Sequence, residues 1–180
     1  SYRSNRVKQN EDREIAHDKE VMSQSVKSLE WAFNSITSGE VENVPVADRL
    51  NWLTSARHIQ RYYSLRNMLK TDMYKLLCAE HEEYWRHRFY LILNHRELGN
   101  ANYFTDSTNL QWPENIEIRS AMIISIFSQW DDHTDDPIDE ITREELEARK
   151  PYRGVFGRGL QNYVQRMQQA SNAHRSRSDI

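Results

Sequence analysis

Apolar residues in the first fifth of the chain fall at Ile15, Met22, Val26, Leu29, Phe33 and Ile36, in steps of seven, four, three, four and three. That spacing keeps them on one side of an α-helix and predicts a helix over about 11–38, closed by Gly39. After the loop GEVENVP, a stripe of Trp52, Ala56, Ile59 and Tyr63, widened by Leu53, Tyr62, Leu65 and Leu69, predicts a second helix over about 46–69. A third, over about 72–98, opens at Thr71 or Asp72, whose side chains suit the free amides of a first turn. Its inner face is Trp85, Phe89 and Ile92. A fourth, over about 114–130, carries Ile116, Met122, Ile123, Ile126, Phe127 and Trp130, with Pro113 fitting its first turn. Thr142 and Glu145 form a capping-box pair ahead of a short charged helix that Pro151 ends. A last helix, about 157–170, has Leu160, Tyr163, Val164 and Met167 on one face. No strand alternation persists. The expectation is an all-α protein, a bundle of four main helices plus short C-terminal helices. Residues 1–10 read as a polar arm, 11–149 as the bundle, and 150–180 as a basic segment with one helix and a mobile tail.

Composition supports long helices with solvated faces. The chain has 180 residues, 38% hydrophobic, with only 5 Gly and 4 Pro to punctuate it. One cysteine, Cys78, excludes an intramolecular disulfide framework and a cysteine-based zinc site. The longest apolar run, Phe89 to Leu93, is far too short to cross a bilayer, so no membrane partner is expected. The opening SYRSNRVKQNEDRE has no signal-peptide pattern, which predicts a cytoplasmic location or a particle assembled in the cytoplasm.

The net charge of −3 conceals an asymmetry. Residues 131–147 carry nine acids and one base, whereas residues 149–178 carry seven bases and no acid. In the basic part, Arg149, Lys150, Arg153, Arg158 and Arg166 are interleaved with Tyr152 and Tyr163. Arginines neutralise phosphates and aromatic rings stack on bases, so this segment is a candidate nucleic-acid or partner-binding site. The alternative is that its aromatics dock on the bundle while its arginines pair with the acidic residues.

The densest polar stretch is HEEYWRHRFYLILNH, residues 81–95. On a helix it separates into Glu82–Arg86 and Glu83–His87 surface pairs and a heptad line of His81, Arg88 and His95. Position 85 is Trp, so the paired-histidine zinc motif HExxH is incomplete, and neither a metal nor a cofactor is implied. Arg88 and His95 stand in an R-x6-H arrangement that resembles the signature of HEPN-domain ribonucleases, small all-α proteins. That resemblance implies a metal-independent site at a dimer interface, with His95 moving protons and Arg88 stabilising the phosphorane. The alternative places both at the core boundary. Asp131, Asp132 and Asp135 form a DDxxD pattern similar to the diphosphate-binding motif of isoprenoid synthases. The larger cavity and second metal motif of those enzymes are missing, which leaves a solvated acidic loop.

With no phosphate loop, nucleophile elbow or helix-turn-helix, the leading expectation is a non-enzymatic interaction or assembly subunit, with a protein partner or a homo-oligomer. The profile resembles assembly proteins of viruses and mobile elements.

Overall fold

The computed structural model describes residues 2–38, 44–105, 108–132 and 136–178, with side chains described for 6–175 of these. Gly39, Asp135 and the last two residues lie outside them. The chain is all-α: among the described residues there are six α-helices, three short 3-10 turns and no strand. It divides into two compact units, Ser1–Asp131 and Asp132–Ile180. The short charged helix therefore falls with the C-terminal segment and not with the bundle.

The first unit holds α1 (Tyr2–Thr37), α2 (Arg49–Arg66), α3 (Asp72–Leu93) and α4 (Ile118–Phe127). α1 packs on α2 and α3, and α4 packs on the same two, which gives a four-helix arrangement with α1 and α4 on one diagonal. Edge-to-face rings run through its centre: Phe33 meets Phe89 at 5.4 Å, Phe89 meets Phe127 at 5.3 Å, and Phe127 meets Tyr62 at 6.4 Å. Small residues are buried on both α1 (Ser25, Ser28 and Ala32) and α2 (Ser55 and Ala56). The Ser25 and Ser28 hydroxyls donate back to their own helix at Val21 O and Gln24 O, so neither is left unsatisfied.

Several boundaries differ from those the sequence predicts, each for a local reason. α1 begins at Tyr2, so the residues read as an arm are helical; no Gly or Pro interrupts the chain before Gly39. α2 starts at Arg49 because Asp48 caps it, accepting from the Asn51 amide at 2.9 Å. α3 stops at Leu93, and the chain turns through Asn94 and His95 into a 3-10 turn at Arg96–Gly99. α4 begins at Ile118 rather than near Pro113. The residues around Pro113 form turns, with the Trp112 amide on Asn109 O and the Asn115 amide on Trp112 O; the Ile116 amide then bonds Phe104 O at 2.9 Å, and Glu117 caps the helix.

The second unit has a 3-10 turn at Pro137–Glu140, α5 (Arg143–Ala148) and α6 (Gly154–Ser178). The Thr142–Glu145 capping box forms as its residues suggest. Lys150 (φ 54°) and Gly154 (φ 68°) take left-handed conformations on either side of Pro151, in the link between α5 and α6. α6 continues well past Ala170 into the segment read as a mobile tail, since no Gly or Pro follows Gly159.

Candidate functional site

The polar stretch on α3 resolves into an inner and an outer side. Glu82, expected on the surface, is buried and sits at the centre of an ionic cluster. One carboxylate oxygen accepts from Tyr62 Oη and Arg66 Nη1, both at 2.5 Å, and the other from Arg86 Nη2 at 2.5 Å. Burial opposes ionisation of Glu82, but the Tyr62 hydroxyl and the two guanidiniums outweigh it and hold the carboxyl below its ordinary range. Burial and the adjacent carboxylate push the Tyr62 phenol far above its own. Cys78 Sγ lies 3.6 Å from Tyr62 Oη, and burial pushes its thiol up, so it is held protonated. The cluster ties α2 to α3 and presents no open reacting group.

Glu83 does not pair with His87. It accepts from Arg86 Nη1 at 3.2 Å and from Trp130 Nε1 at 2.7 Å, which anchors the chain leaving α4.

Arg88 is half-buried, its guanidinium carbon 4.9 Å from the Phe33 ring centre and 5.6 Å from that of Tyr84, whose hydroxyl accepts from Nη1 at 3.2 Å. Its Nε is buried without a hydrogen-bond partner. Such stacking uses the cation as packing material. His95 lies beyond the end of α3, exposed, with Nδ1 accepting from the Glu97 amide. Helix termination at Leu93 therefore removes the shared face that the seven-residue spacing assumed, and no contact joins Arg88 to His95.

A second buried carboxylate was not singled out by the sequence reading. Asp18, on α1, accepts from the amides of Lys70 and Thr71 (3.0 and 2.7 Å), from Thr71 Oγ1 (2.8 Å) and from His17 Nδ1 (3.0 Å). Burial raises its proton affinity, yet the amides, His17 and the hydroxyl prevail and hold it far below the usual carboxylate range. Asp18 thus satisfies the turn between α2 and α3 from a distance, replacing the cap expected of Thr71. A signal for it exists: Asp18 fills the gap in the α1 stripe between Ile15 and Met22. Glu82 likewise falls in register with Cys78, Trp85, Phe89 and Ile92.

The basic segment presents the most open surface. On α6, Phe156 is 80% exposed, Tyr163 60% and Met167 51%, with Leu160 half-buried between them. Steps of four, three and four place these four on one helix face. Arg149, Lys150, Arg153, Arg158 and Arg166 make no ion pair with a described residue, and Tyr152 is half-buried. The pairing of these arginines with the acidic residues is absent among the described residues; Arg143 bonds Glu147 instead, at 2.9 Å.

The first unit also has an apolar groove of about 540 Å³ walled by Tyr90, Leu93, Phe104, Ile116 and Met122, with Trp52 at its base. On α4, Ile118, Met122 and Ile126 repeat every fourth position and are exposed, the first two on the groove itself. Among the described residues no three His, Cys, Asp or Glu side chains are grouped to hold a metal ion, and no helix is long and apolar enough to cross a membrane. No protein-family model, curated protein or solved structure matches this chain.

Proposed function

We propose that this chain is a non-enzymatic helical interaction subunit that assembles with a protein partner or with further copies of itself. The observation that carries this reading is the apolar stripe of α6, Phe156, Leu160, Tyr163 and Met167, three of them exposed, in a segment whose arginines make no ion pair among the described residues. A helix with one apolar and one polar face gains stability by burying the apolar one, and Tyr and Arg are residues that anchor interfaces. The exposed α4 stripe offers a second contact of the same character. The two buried carboxylates of the first unit, Glu82 and Asp18, are engaged by donors of the chain itself, which suits a scaffold more than a catalyst. The test is to place glutamates at Phe156, Tyr163 and Met167 and compare the mass of the native assembly with that of the unaltered protein. Release of the variant from the assembly, with its fold intact, is the expected result.

A nucleic-acid reading has one observation in its favour: the same arginines make no ion pair among the described residues, while Tyr163 is exposed. It predicts RNA or DNA binding that weakens steeply with salt and is lost on truncation at Lys150. The ribonuclease reading gains nothing from the geometry, because Arg88 is stacked on aromatic rings and His95 lies outside its helix.

A further inference from the structure

A groove of about 590 Å³ runs between α2 and α4, on a part of the bundle that the proposed function does not use. Its α2 wall carries Arg57 and Arg61, one helical turn apart and both exposed. Residues so spaced have Cβ atoms roughly 6 Å apart, so the two guanidiniums can engage neighbouring anionic groups. Neither makes an ion pair with a described residue. The floor is aliphatic: Leu53, Ala56 and Ile123. The α4 wall already holds one carboxylate. Glu117 accepts from Arg119 Nε at 2.9 Å and from the Ser120 amide and hydroxyl, both at 2.8 Å. Arg119 first, and Ser120 after it, push its carboxyl down to about 2. In a chain of net charge −3, two arginines without an ion pair among the described residues, over an aliphatic floor, are a local reversal of sign.

We propose that this groove docks an acidic peptide segment of a protein partner, with carboxylates on Arg57 and Arg61 and an aliphatic side chain on Leu53, Ala56 and Ile123. Arginine forks match carboxylates in geometry, and an aliphatic anchor beside them gives the contact register. The lining argues against nucleic acid. No aromatic ring is present to stack a base, and the fixed charge of Glu117 faces the path a phosphate chain would follow. A peptide carries separated charges and can set its uncharged positions opposite Glu117.

The test uses the full chain and a fluorescently labelled peptide of leucines flanked by aspartates and glutamates, followed by anisotropy. Binding to the unaltered protein is expected, weakening with salt. It should fall roughly tenfold or more in Arg57→Glu/Arg61→Glu, since like charges then face one another. The melting temperature of that variant should stay unchanged, because both side chains are exposed. A peptide with glycine in place of leucine should also bind more weakly. Failure of the acidic peptide to bind, equal binding by the variant, or equal binding of the glycine peptide overturns the proposal. So does an oligothymidylate that binds the same arginines more tightly than the peptide, which would make the groove a nucleic-acid site.

Discussion

In α1, Leu29, Phe33 and Ile36 repeat with steps of four and three and are buried; in α6, Phe156, Leu160, Tyr163 and Met167 repeat with the same steps, and three of the four are exposed. The periodicity is equivalent, and the surroundings differ. The α1 stripe meets apolar faces of α2 and α3, and its polar register position, Asp18, meets two amides and two side-chain donors. A heptad stripe therefore specifies that a face is apolar without specifying what covers it. Where the chain supplies the cover, the stripe becomes core. On α6 the face stays open, and that openness is the basis for assigning it to a partner.

The largest effect should come from the covered stripe's aromatic neighbours. Phe89→Ala should cost about 3–5 kcal/mol by denaturant unfolding, because Phe89 is fully buried between Phe33 and Phe127. The equivalent truncation on the open stripe, Phe156→Ala, should stay within about 0.5 kcal/mol for the unassociated chain. A similar cost for the two would erase the contrast.

Glu82→Ala should cost about 3 kcal/mol, since it strands Arg86 and the Tyr62 hydroxyl in a buried place. The two buried carboxylates also set the acid response. Asp18 and Glu82 have folded-state proton affinities below those of the unfolded chain. Their contribution is fully present above the unfolded carboxyl value, about 4, and is lost as pH falls below it. Melting temperature should therefore drop on acidification. Asp18→Asn should cost about 2 kcal/mol near neutrality and flatten that drop. A pH response identical to that of the unaltered protein would contradict the assignment.

Arg88→Ala should cost about 1 kcal/mol through lost stacking on Phe33 and Tyr84, and His95→Ala should leave stability unchanged. RNA incubated with the unaltered protein and with the double variant should remain intact in both cases. Cleavage by the unaltered protein alone would restore the ribonuclease reading.

The helical class, the order of the four bundle helices and the Thr142–Glu145 cap were legible because they rest on local spacing and local hydrogen bonds. The end of α3 was not: nothing between Leu93 and Leu98 breaks a helix in sequence, and the turn is made by Asn94 and His95. That single boundary decided the R-x6-H pattern, whose shared face exists only while the helix continues. Glu82 and Asp18 were misread or passed over because pair rules and hydropathy treat a carboxylate as a surface group. Their positions in an apolar register were the available signal, but most of their donors come from elsewhere: Tyr62 and Arg66 on α2 for Glu82, and Lys70 and Thr71 in the turn for Asp18. Arg57 and Arg61 are ordinary exposed residues of α2 in sequence, and only the approach of α4 makes them the wall of a groove.

The most direct test of the central claim is the native mass of the assembly containing this chain, measured for the unaltered protein and for a variant with glutamate at Phe156, Tyr163 and Met167. The account predicts a mass well above the 21.5 kDa of one chain for the former. It predicts for the latter a free single chain that keeps its helical fold, with a melting temperature lowered only by the lost association. An unaltered protein that exists as a free single chain, or a variant that stays in the assembly, would contradict it.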